Sequence, residues 1–164
     1  MDVKLFGFER LDRLPEDGDL VAGTIRGANV LGLAGRDQEG RYVLVLRGKL
    51  SEDEELPQII SMKAFDGRLG VIEGEVSVEP LAGGFAGKRV DIETPGALVM
   101  GEPGLLGIAV LYRQSIQRTS VFHYDLKTGA PIDPSEVNVG MVGWRMLVRQ
   151  AGRDEPFEVA RFGE

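Results

Sequence analysis

Between residues 71 and 79 the chain alternates: Ile72, Val76 and Val78 fall on one side, Glu73, Glu75, Ser77 and Glu79 on the other. That period of two is the mark of a half-buried β-strand, because successive side chains on a strand point to opposite faces. The pattern recurs at 89–94, where Val90 and Ile92 alternate with Asp91 and Glu93, and at 120–126, where Phe122, Tyr124 and Leu126 share one side. It recurs again at 141–149, with Val142, Trp144, Met146 and Val148 on one face and Arg145 and Arg149 on the other. Residues 20–26 follow the turn sequence Pro15-Glu16-Asp17-Gly18 and read as a further strand. Residues 30–34 and 41–47 flank a polar six-residue connector, 35–40, with glycine at both ends, which predicts a hairpin. Its second arm is apolar on both faces and is expected to be a central strand. Residues 107–113 and 156–162 complete the set.

Helix signals are sparse. Ser51-Glu52-Asp53-Glu54 has capping-box spacing, but Pro57 falls where it interrupts a helix begun at 52. The alternative start is Pro57 itself, as first helical residue of a segment running to Gly67. Eight or more short strands with turn signals between them favour a mainly β fold, an antiparallel β-sandwich or barrel with at most one or two short helices. No internal repeat and no Ser/Pro-rich linker divides the chain, so residues 1–164 are expected to form a single domain, in keeping with its length. The Tyr124-Asp125-Leu126-Lys127-Thr128-Gly129 stretch resembles the strand-turn sequences of β-propeller blades. A single copy implies a hairpin and no propeller.

Composition narrows the chemistry. There is no cysteine and one histidine, His123, which excludes disulfides, thiolate metal sites, cysteine nucleophiles and multi-histidine metal centres. The 23 glycines are spread along the chain, as many tight turns require. The N-terminus lacks the apolar run of a secretory signal, and no segment approaches the length of a membrane span. A cytoplasmic protein without membrane contact is the expectation.

Of the net charge of −7, six units sit in residues 51–100, which hold ten acids and four bases. No window carries the basic stripe that tracks phosphates, so direct nucleic-acid binding is not expected.

The glycine-rich stretch at 82–89 fails as a phosphate loop: Gly83 and Gly87 are one residue too close, and Arg89 stands where Ser or Thr would hold magnesium. The acidic run at 52–55 reads as a solvated helix start, and no metal site and no cofactor are expected. His123 and Asp125 alternate onto one face, which is the arrangement of a general base. Because the opposite face looks like core, the preferred reading is a solvent-facing histidine. Trp144 is expected in the core, and Tyr112 is the other large aromatic considered as an interface anchor.

Pairing 71–79 with 89–94 would gather Glu73, Glu75, Glu79, Asp91 and Glu93 on one sheet surface, with Glu75 able to fall opposite Glu93 at a cost in repulsion. The function expected from this is a non-enzymatic interaction module, of inhibitor, immunity or structural-subunit type. Its acidic face would dock a basic protein partner or another copy, and a homo-oligomer is possible. The rival readings are a small-ligand-binding β-barrel and a hydrolase-like enzyme using His123 with a carboxylate.

Overall fold

The computed structural model describes residues 11–50, 55–81, 89–115 and 118–163, with residues 89, 113–115, 118 and 119 described in backbone alone. The first five strands are β1 (Leu20–Ile25), β2 (Ala28–Asp37), β3 (Gly40–Gly48), β4 (Gln58–Ser61) and β5 (Gly70–Ile72). They form one sheet in the order β4-β3-β2-β1-β5. The next strand, β6 (Glu75–Pro80), leaves that sheet. After it come β7 (Arg89–Val90), β8 (Leu98–Gly101), β9 (Leu105–Ser115), β10 (Arg118–Asp125), β11 (Pro131–Ile132) and β12 (Val139–Met141), which make a six-stranded sheet in the order β11-β10-β9-β8-β12-β7. Finally β13 (Trp144–Arg149) and β14 (Phe157–Phe162) join β6 in a three-stranded sheet, β14-β13-β6.

Every pairing is antiparallel. Among the described residues no sheet closes on itself, so of the two expected architectures the packing is that of a sandwich and not of a barrel. Helix is confined, among the described residues, to single 3-10 turns at Met62–Ala64 and Pro134–Glu136. No helix among them is long and apolar enough to cross a membrane.

The three sheets share one core. The five-stranded sheet contributes Leu31, Leu33 and Leu44, the six-stranded sheet Ile108, Val110 and Tyr124, and the three-stranded sheet Trp144, Met146 and Val148. Burying each such aliphatic side chain is worth about 1.5–3 kcal/mol relative to leaving it in water. The interior that a ligand-binding barrel would hollow out is filled by these side chains. As expected, β3 is central: Tyr42, Leu44 and Leu46 point into the shared core, while Val43 and Val45 point into a second core with Phe65 and Leu69. A third core backs the six-stranded sheet, built on Ala97, Val99, Ala109, Ile132 and Val137.

Four expectations are corrected. The β2–β3 connector is tighter than six residues. The strands run on to Asp37 and from Gly40, and Asp37 Oδ1 closes the turn by accepting from the amides of Glu39 (2.8 Å) and Gly40 (3.1 Å). Residues 57–67 form no α-helix, only the 3-10 turn at Met62–Ala64: β4 pairs with β3, placing Ile59 on the shared core and Ile60 on the second core. Neighbouring residues reach opposite faces only in a strand, and that double burial outweighs the local helix signals.

The other two corrections have one cause. The strands expected at 71–79 and 141–149 each break at a glycine and change sheet there, β5 to β6 across Gly74 and β12 to β13 across Gly143. A Cβ on Gly74 would lie 2.5 Å from Val148 Cγ2 and 2.8 Å from the Arg149 carbonyl oxygen, so the crossing needs a residue without one. Gly143 takes φ 79°, a left-handed conformation that glycine alone adopts without strain.

Candidate functional site

The three-stranded sheet is where two of the expected acidic residues, Glu75 and Glu79, meet arginines of β13. β6 lies antiparallel to β13 with Val76 opposite Val148 and Val78 opposite Met146, so the apolar side of the alternation turns inward. Trp144 anchors that inner face: it stacks on Phe162 at 4.9 Å between ring centroids, and its Nε1–H donates to the Gly96 carbonyl at 2.9 Å. The expected fate of Trp144, burial in the core, is what the structure shows.

On the outer face, Glu75 sits directly opposite Arg149, and Glu79 opposite Arg145. Arg145 Nη2 donates to Glu79 Oε2 at 3.0 Å, and Arg145 Nη1 lies 3.7 Å from Glu158 Oε2 on β14. Arg161 then grips the same Glu158 through two hydrogen bonds, of 2.9 and 2.6 Å. The result is a ladder of alternating sign across three strands, Glu79, Arg145, Glu158, Arg161. Arg161, first, and Arg145 hold the Glu158 carboxyl below the usual carboxylate range, against an opposing effect of burial. Charges of opposite sign facing across strands stabilise the pairing, so β6 avoids the Glu75–Glu93 repulsion by choosing β13 as its neighbour.

The hairpin expected between 71–79 and 89–94 is therefore not formed. β7 pairs with β12 in the six-stranded sheet and stops at Val90. Asp91 begins a turn instead, its Oδ1 accepting from the Glu93 amide at 2.9 Å and its carbonyl from the Thr94 amide at 3.0 Å. Asp91 and Glu93 are exposed on that turn, whereas Glu75 and Glu79 belong to a different sheet. Glu73 lies in the β5–β6 link, exposed, with its carbonyl accepting from Gln150 Nε2 at 3.1 Å. Of the five carboxylates, the structure brings Glu75 and Glu79 onto one strand, with Glu73 next to it. The signal that identifies the true neighbour is in the sequence: Glu75-x-Ser77-x-Glu79 and Arg145-x-Leu147-x-Arg149 have the same period and opposite charge.

β6 ends the order of its sheet, and no strand among the described residues pairs with its other side. Val76 is 42% exposed there, between the exposed Glu75 and Ser77. A second exposed apolar feature is the far end of the β9–β10 hairpin. Tyr112 (43% exposed) and Phe122 (41%) meet edge to face with ring centroids 5.8 Å apart. Phe122 shares a face with Tyr124 and Leu126 as expected, but the core ends before reaching it.

His123 is not solvent-facing. It is 3% exposed, directly opposite Ala109 on β9 and Ile132 on β11, and its Nε2 lies 2.7 Å from the Ile92 carbonyl oxygen. A carbonyl only accepts, so Nε2 carries the proton. The face expected to be open is covered by the turn at 91–95, which alternation within one strand does not reveal. Asp125 does not orient the ring: its Oδ1 caps the following turn, accepting from the amides of Lys127 (2.6 Å) and Thr128 (3.3 Å). His123 Nδ1 is buried without a hydrogen-bond partner.

Among the described residues no group of three or more His, Asp or Glu is placed to hold a metal ion. An open surface cleft of about 480 Å³, lined by Ala28, Asn29, Arg47, Gly48 and Lys49, lies at the β1–β2 turn end of the five-stranded sheet. The glycine-rich stretch at 82–88 and the acids at 52–54 lie outside the described residues. Compared with protein-family models, curated proteins and solved structures, the chain matches none.

Proposed function

We propose that this chain is a non-enzymatic interaction subunit that adds an extended, basic segment of a partner to the β6 edge. The carrying observation is that edge itself: a six-residue strand, unpaired on one side among the described residues, with Val76 exposed and Glu73, Glu75 and Glu79 along it. Strand addition supplies affinity through main-chain hydrogen bonds, and alternate side chains set specificity. Arg145 engages Glu79 from within the sheet, so Glu73 and Glu75 are the carboxylates that select for positive charge in this reading.

The test is a titration of the labelled protein with the peptide Lys-Val-Lys-Val-Lys-Val, followed by backbone amide shifts at low and high salt. Shifts concentrated at residues 75–79, lost at high salt and lost in the double variant Glu73→Lys, Glu75→Lys, are the expected result. Shifts scattered over every acidic surface, or insensitivity to the double variant, would overturn the proposal.

A further inference from the structure

Resting on that reading of the β6 edge, we infer that its occupant is a second copy of this chain, contributed through the β9–β10 hairpin. The hairpin is built to be a donor. β8 pairs with β9 only as far as Ile108, with Ala97 carrying the ladder to Ala109, and β11 pairs with β10 only at His123 and Tyr124. Beyond those points β9 and β10 pair with each other alone, from Val110 opposite Phe122 outward, so among the described residues neither edge of this ribbon is paired with a further strand, although β9 runs close to β4. Two-stranded ribbons of this kind are marginal by themselves and gain by joining further strands. The exposed Tyr112–Phe122 pair sits on the ribbon, where an isolated monomer leaves two large rings half in water.

Charge selects the match. Residues 110–122, the outward part of the hairpin, contain Arg113 and Arg118 and no acid, and the hairpin's one acid, Asp125, lies at the base of β10. Residues 73–81, which make up the β6 edge, contain three glutamates and no base. Pairing of β6 with β6 across a two-fold axis would set glutamate against glutamate, which destabilises a sheet. A ribbon with two arginines and an aromatic pair meets the same edge with opposite charge, and offers Val76 an apolar neighbour.

Donor and acceptor are different surfaces of one chain, so the contact is head to tail. Such contacts close into rings or continue as open chains. A six-residue edge and one aromatic pair form a small interface, below the area typical of permanent dimers, so the association is reversible and weakens with salt.

Sedimentation velocity on the purified chain over a concentration series, at low and high salt, reads this directly. The wild type is expected to form concentration-dependent oligomers at low salt that dissociate at high salt. Phe122→Glu removes the donor and Val76→Glu the acceptor, and each alone is expected to be monomeric. An equimolar mixture of the two retains one working contact and is expected to give two-copy species and nothing larger. Both positions are exposed, and circular dichroism with the milder Phe122→Ser and Val76→Thr guards against a folding artefact. A wild type that stays monomeric while the Lys-Val peptide still binds β6 would overturn self-association and leave the proposed function standing. A wild type that neither associates nor binds the peptide would overturn both. Oligomers that survive in both variants, or a mixture that remains monomeric, would overturn the head-to-tail pairing.

Discussion

The five-stranded and the three-stranded sheets differ in how they are assembled and in what their faces meet. β1, β2 and β3 are joined by successive hairpins, and β3 is buried on both faces. β6, β13 and β14 come from segments 75–80, 144–149 and 157–162, and only one face of their sheet meets a core. Apart from β5, which returns to pair with β1, the first sheet owes its order to connections between neighbours along the chain. The second depends on a non-local pairing of β6 with β13, in which apolar positions match on one side and opposite charges on the other. The difference teaches that the same period-two signal serves two purposes here: stability where both faces are apolar, and presentation where one face carries the charged ladder and one edge is unpaired among the described residues.

The largest expected effects test whether burial or sheet membership controls stability. Leu44 in β3 and Trp144 in β13 both sit fully inside the shared core. Leu44→Ala is expected to cost about 2–5 kcal/mol and Trp144→Ala about 3–5 kcal/mol, both by leaving a cavity. Val76→Ala, on the open edge of the same sheet as Trp144, is expected to fall within about 0.5 kcal/mol of wild type. Urea unfolding measures all three. A large loss at Val76 would mean that the β6 edge is covered and would remove the distinction between the sheets.

This contrast also explains what the sequence discloses. The β1–β2–β3 meander is legible because hairpins are local: alternation, turn residues and the doubly apolar run at 41–47 agree with one another. Trp144 and its partners Met146 and Val148 are legible for the same reason, since a strand's two faces are a property of the strand. The site was only partly legible. Glu75 and Glu79 stand together as their alternation requires, but their neighbour β13 lies about seventy residues further along, and nothing local specifies it. Gly74 and Gly143 are invisible as sheet crossings, because a glycine within an alternating run looks like a tolerated interruption. His123 was misplaced because its cover, the turn at 91–95, is equally remote.

The crossing at Gly74 gives the next test. Gly74→Ala puts a methyl group against Val148 and the Arg149 carbonyl, and is expected to cost about 1–3 kcal/mol through overpacking at the junction of the two sheets. Amide exchange separates the consequences. Faster exchange in β6 and β13 with β1–β3 unchanged supports the view that the three-stranded sheet is the more easily detached unit. Uniform acceleration would show that all three sheets open together.

A third test probes the contact between the five- and six-stranded sheets. Tyr42 and Tyr124 meet edge to face at 5.7 Å, and the Tyr42 hydroxyl donates to the Gly129 carbonyl. Burial, foremost, pushes the Tyr124 hydroxyl up to about 12 and the Tyr42 hydroxyl upward as well. Folded-state values above the unfolded one mean that the stability tied to these neutral phenols is complete below about pH 10 and is lost as pH rises through the folded values. Alkaline titration followed by phenolate absorbance and by circular dichroism is expected to show these two tyrosines ionising together with loss of structure. Full ionisation with structure retained would show that the contact is not needed to hold the two sheets together.

The smallest effect belongs to the ladder on the three-stranded sheet. Arg145→Met removes the centre of the Glu79, Arg145, Glu158, Arg161 series, and, because these side chains are roughly one-third to one-half exposed, the loss is expected to stay within about 1 kcal/mol. The acid limb is the more revealing measurement. Arg161 and Arg145 depress the Glu158 carboxyl in the folded chain, so its contribution is present above the unfolded carboxylate value of about 4 and disappears as pH falls through the folded value. Glu158→Gln is therefore expected to flatten the stability profile on the acid side of about pH 4 while leaving the neutral-pH slope unchanged. If the ladder's role is to let β6 pair with β13 despite its glutamates, Glu79→Gln and Arg145→Met together should restore much of what Arg145→Met alone loses, since the carboxylate no longer needs a counter-charge. Additive losses would mean instead that the ladder is incidental to the pairing and that the inward contacts of Val78, Trp144 and Met146 hold β6 in place without it.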